Sequence, residues 1–133
     1  MTKNGQYRFA FVAAFVLLAA ALPAFAHHSV TAEFNPDKEF VVKGVLTRVE
    51  WTNPHIYFYL NVAQPDGKVV EYYFESGPPS TLHRAGLRKD DIKIGDTVTV
   101  TAAPAKDGTK TYGWLKMIKY SDGHVFVYRN GAE

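Results

Sequence analysis

The chain has 133 residues, 15 basic and 13 acidic, with five histidines and no cysteine. That length holds one domain with a modest core, and the missing cysteines exclude a disulfide scaffold and leave nitrogen and oxygen as the ligands for any metal. The small positive balance excludes a strongly basic nucleic-acid-binding surface, because phosphate recognition needs clustered Lys and Arg.

The first segment reads as a cleaved export signal. Lys3 and Arg8 form a positive start, Phe9 to Leu22 is apolar, Pro23 breaks the run, and Ala24-Phe25-Ala26 has the small-x-small form that a signal peptidase accepts. The apolar run is short of the roughly 20 residues a helix needs to cross a bilayer. The expected division is therefore a signal over 1–26, an N-terminal arm over 27–38 and a β-domain over 39–133. The expected place is the periplasm or the medium, with no stable membrane span after cleavage. Both surplus bases lie in the signal, so residues 27–133 carry 13 bases and 13 acids.

From Glu39 onward, short β-patterned runs alternate with turn signals, as in an all-β protein. The first strand spans Phe40 to Trp51, with Gly44 marking a bend or bulge. After Thr52-Asn53-Pro54 comes a second strand, His55 to Ala63. Pro65-Asp66-Gly67 turns the chain into a third, Lys68 to Glu75. Ser80 is placed to cap a short helix, Thr81 to Ala85, ended by Gly86, with Leu82, Ala85 and Leu87 inward. Strands four, five and six follow at Thr97–Ala102, Tyr112–Tyr120 and His124–Arg129. Three meandering strands, a helix and two more strands is the order of an OB-fold, a five-stranded Greek-key barrel, here with a sixth strand added. A plain β-sandwich is the competing architecture.

Strand two alternates. Ile56, Phe58, Leu60 and Val62 form the core face, while His55, Tyr57, Tyr59 and Asn61 point outward. In strand three, Val70, Tyr72 and Phe74 would join the core and Glu71, Tyr73 and Glu75 would face out. A three-residue hairpin loop pairs Gln64 with Lys68, so paired positions sum to 132. His55, Tyr57, Tyr59, Tyr73 and Glu75 then share one outward patch, on the face that OB-folds use for ligands.

The histidines carry the sharper expectation. Cleavage after Ala26 makes His27 and His28 the first two residues and frees an α-amine of pKa about 7.7–8.0. A terminal His chelates through amine and ring. A His in second place combines its ring with the amine and the intervening amide. Either set is nitrogen-rich and planar and suits Cu(II), ahead of nickel or zinc. His55, stiffened by Pro54, is the third ligand, and Glu75 is a fourth ligand or an acceptor that orients the His55 ring. His83 and His124 read as surface residues, and Trp51 and Trp114 as core or rim packing. The alternative is a module binding a protein, peptide or small ligand on Tyr57, Tyr59 and Tyr73. A third reading is an oxidative copper enzyme, although no His-Glu-x-x-His, Gly-x-Ser-x-Gly or Cys nucleophile is present.

Several pieces together resemble a group of short exported bacterial proteins, the domain of unknown function family 6152. They are His27-His28-Ser29, Gly44-Val45-Leu46, Glu50 to His55, Phe74-Glu75, Leu82 to Leu87, Ile94 to Val98 and Ala105 to Gly108. The resemblance implies export and the β-fold and carries no established activity.

Overall fold

Strand alternation builds the barrel wall. The computed structural model describes residues 29–128. Six strands lie at Phe40–Trp51 (β1), Ile56–Ala63 (β2), Val69–Glu75 (β3), Thr97–Pro104 (β4), Tyr112–Tyr120 (β5) and Val125–Val127 (β6). Two short helices, Val30–Glu33 (α1) and Pro79–Arg84 (α2), and a 3-10 turn at Lys89–Asp91 complete the elements. The strand order is β3-β2-β1-β4-β5-β6, and a further β3–β5 pairing closes the first five strands into a barrel. This is the OB-fold connectivity with one added strand, and the closure replaces the sandwich alternative. Ile56, Phe58, Leu60, Phe74, Val100 and Leu115 are fully buried inside the barrel, so the period-two face of β2 is its core face.

β1 serves both halves of the barrel. Phe40 to Val45 pair with β4 and Val45 to Trp51 with β2. The β1–β2 register shifts between Leu46 and Arg48, which gives the bend that closure needs. Gly44 permits the close approach beside it, since a Cβ there would lie 2.6 Å from the Asn61 carbonyl oxygen. The hairpin after β2 has the expected geometry. Gln64 N–H donates to the Lys68 carbonyl at 2.8 Å, Gly67 has φ +83°, and Tyr57 pairs with Glu75 and Tyr59 with Tyr73.

Four local expectations are corrected. α2 starts at Pro79 behind Pro78, because a proline ring preset near helical φ needs no donor in the first turn. Ser80 therefore lies inside the helix rather than capping it. Ala85 is exposed, since a helix this short turns only Leu82 fully inward before Gly86, at φ +96°, redirects the chain to buried Leu87. In β3, Val70 and Tyr72 are half-buried and only Phe74 of the three is fully enclosed. Strand ends also move: His55 and Lys68 precede their strands, β4 runs on to Pro104, and β6 is limited to Val125–Val127 among the described residues.

The larger difference is the N-terminal arm. Residues 30–36 lie across β4 and β5 and are bonded to them. Asn35 N–H donates to the Pro104 carbonyl at 3.0 Å and Lys106 N–H to the Glu33 carbonyl at 2.8 Å. Lys106 Nζ donates to the Thr31 carbonyl at 2.5 Å, and Lys116 Nζ to that of Pro36 at 2.7 Å. Phe34, 1% exposed, is the apolar anchor. The signal segment 1–26 lies outside the described residues.

Candidate functional site

His55 stands at the entry to β2, behind the Asn53–Pro54 cis peptide. Its backbone is fixed from both sides. Thr52 Oγ1 donates to the His55 carbonyl at 2.8 Å. Ile56 N–H donates to the Gly77 carbonyl at 3.2 Å, and the Ile56 carbonyl accepts from Ser76 N–H at 2.9 Å and Ser76 Oγ at 3.1 Å. These bonds carry the β2–β3 register to its end, set His55 across from Gly77 and make Glu75 its diagonal neighbour.

The two side chains meet. His55 Nδ1 is paired with Glu75 Oε1, with the imidazole 24% and the carboxylate 5% exposed. Glu75 Oε2 accepts from the Tyr112 hydroxyl. The Tyr57 hydroxyl is hydrogen-bonded to the same carboxylate, and burial together with the Glu75 charge pushes its pKa up to about 12. Tyr112 is raised further, by burial first and then by its bond to Glu75. Three donors thus converge on one buried acceptor, which offsets the cost of taking a carboxylate out of water. The sequence places Glu75 outward. It does share the face of Tyr57 and Tyr73, but it is 4% exposed, because β5 and the arm cover that end of the face.

Those covering residues are the part that sequence reasoning missed. β3 and β5 run parallel, with Tyr73 beside Tyr112 and Glu75 beside Trp114. The His55 ring meets Trp114 edge-on, with centroids 5.7 Å apart at 86°. Phe34 packs on Tyr112 at 5.0 Å and on Trp114 at 5.6 Å. The outward spacing Tyr112-x-Trp114 was a usable signal. Nothing local in the sequence fixed which strand lay beside it.

With a carboxylate on Nδ1, the proton is held there and Nε2 is the ring's remaining ligand atom. Glu75, with both oxygens engaged, is suited to orienting the imidazole rather than to ligating. A cleft of about 460 Å³ opens beside the ring, lined by His55, Gly77, Pro78, Arg84, Trp114 and Tyr128 and by Ser29, Val30 and Thr31 of the arm. Gly77 lets Tyr128 close in, since a Cβ there would lie 2.0 Å from the Tyr128 hydroxyl. Among the described residues no group of three or more His, Cys, Asp or Glu could hold a metal. His27 and His28 lie outside the described residues.

Tyr59 and Tyr73 continue the face away from His55. Their rings stack with centroids 6.1 Å apart, and Tyr73 stacks on Tyr112 at 4.5 Å. Arg48 lies 3.6 Å from the Tyr59 ring centre, and the Tyr59 hydroxyl donates to Glu50 Oε2 at 3.0 Å. The tyrosine faces are therefore largely turned on one another. His83 and His124 are exposed, as their sequence positions imply, Trp51 is half-buried and Trp114 is buried.

No curated protein matches the chain. Among solved structures it is similar to the crystal structure of the mitochondrial single-stranded DNA binding protein Rim1 from S. cerevisiae. The identity is 15%, the TM-score is 0.48, and the match covers 63% of this chain and 94% of that one. The model of a family of unknown function, DUF6152, matches residues 14–127, and the chain belongs to that family.

Proposed function

We propose that this is a small exported protein that binds copper in the periplasm, through the amino terminus created at His27, the rings of His27 or His28, and Nε2 of His55. The observation that carries the reading is the His55–Glu75 pair. A buried carboxylate on Nδ1 fixes the tautomer and the direction of the ring, which is the usual support of a ligating histidine. The pair opens on a cleft that Ser29 also lines. His28 is covalently next to Ser29, one Cα step of about 3.8 Å away. The reading gives Glu75 the orienting role rather than the ligating one.

The alternative, a module that grips a protein, peptide or small ligand on Tyr57, Tyr59 and Tyr73, has less to work with. The Tyr59 and Tyr73 rings stack in the ladder and Tyr57 is tied to Glu75, so a partner would meet mainly ring edges and hydroxyls.

Cu(II) titration of the chain recovered after export, followed by EPR, tests the copper reading. Tight binding with an all-nitrogen signal is expected. One residue added before His27 should weaken it at least tenfold, about 1.4 kcal/mol, and Glu75→Gln should cost about 10–100-fold. Unchanged affinity in the extended protein would sink the proposal.

A further inference from the structure

The cleft beside His55 has a one-sided charge. Among the described residues Arg84 is its charged side chain, and no Asp or Glu lines it. This bias is local, because residues 27–133 carry equal numbers of acids and bases. Glu75 stands behind the wall with its oxygens on His55 and Tyr112. Arg84 is held by a bond from Nη2 to Thr81 Oγ1 at 3.3 Å, one turn back on α2. Among the described residues no carboxylate pairs with it. A guanidinium steadied on one side and open on the other presents a planar fork that matches a carboxylate.

The rest of the wall is apolar. Trp114, Tyr128, Pro78 and Val30 face the same space, and its volume of about 460 Å³ is in the range of small-molecule sites. A free inorganic anion would use Arg84 and leave the rings idle. A neutral aromatic would use the rings and leave the guanidinium idle. We infer that the cleft binds a small organic carboxylate, with its acid on Arg84 and its apolar body against Trp114 and Tyr128. The site shares its cleft with the copper reading and does not depend on a metal being bound.

The test uses the chain recovered after export, stripped of metal by chelation, with benzoate, benzamide and acetate as probes. Calorimetry gives the affinities. Trp114 emission, read alone in a Trp51→Phe background because the chain has two tryptophans, reports the place. Benzoate should bind at least about tenfold tighter than either benzamide, which lacks the charge, or acetate, which lacks the ring. Arg84→Gln should remove about tenfold for benzoate and nothing for benzamide, while Arg84→Lys keeps part of the gain. The inference is overturned if benzoate does not saturate, if benzamide or acetate equals it, if Arg84→Gln is without effect, or if Trp114 emission does not respond. Because no metal is present, failure of the copper titration leaves this result standing, and failure here leaves the copper titration untouched.

Discussion

Glu71 and Glu75 stand on the same face of the same strand, two alternations apart, and live in different surroundings. Glu71 is exposed across from Asn61, at the end of β3 where Val69 is 61% exposed. Glu75 is 4% exposed, at the end where β3 gains β5 as a second neighbour. Nothing in the carboxyl group differs. Barrel closure decides whether a strand carboxylate is a solvated charge or a fixed acceptor. Once enclosed, it must collect donors, and His55, Tyr57 and Tyr112 supply them.

The arm completes that enclosure, so its anchor should matter most. Phe34→Ala removes a buried ring from between Tyr112 and Trp114, and about 3–5 kcal/mol of stability should be lost in urea unfolding. Trp114 emission should shift to the red as the cover lifts. A loss below about 1 kcal/mol, in the range of ordinary substitutions, would mean that the arm does not hold the Glu75 end closed. The two glutamates come next. Glu75→Ala strands three donors in a mostly dry site and should cost about 2–4 kcal/mol. Glu71→Ala should stay within about 0.5 kcal/mol, as exposed changes do. Equal losses for the two would erase the contrast.

The two edges of β3, one toward β2 and one toward β5, divide what could be read from the sequence. The β2–β3 hairpin carries its own register marker, Pro65-Asp66-Gly67, so Tyr57 opposite Glu75 and Tyr59 opposite Tyr73 follow from a turn length. β1 and β5 are bounded by turn residues, and Phe40–Trp51 and Tyr112–Tyr120 are legible for that reason. The β3–β5 contact is parallel and bridged by no turn. Its register depends on how the barrel closes, and that hid the burial of Glu75 and the neighbours Tyr112 and Trp114. The arm is hidden for a similar reason. Val30, Ala32 and Phe34 alternate as a strand would, yet 30–33 form a helix and Ala32 is exposed, so only the β4–β5 surface explains the burial of Phe34. The His55–Glu75 pair was legible because it sits on the side of the strand that a turn controls.

The smallest effect should appear at high pH, and it again sets one end of the face against the other. Tyr57 is pushed up to about 12 by burial and then by Glu75. Tyr59, one alternation further along β2, is also raised, by its own lesser burial and its bond to Glu50. For a phenol whose folded pKa lies above the ordinary value of 10.0, the fold favours the neutral form. That contribution is complete below pH 10.0 and is lost as pH rises through about 12. Melting temperatures followed across that window should therefore fall in the unsubstituted protein. Tyr57→Phe, which cannot ionise, should flatten the fall more than Tyr59→Phe does, because only Tyr57 shares the enclosed carboxylate. Equal flattening by the two variants would show that the Glu75 charge is not felt at Tyr57. The enclosure would then be wetter than its 4% exposure implies, and the difference between Glu75 and Glu71 would be one of position rather than of environment.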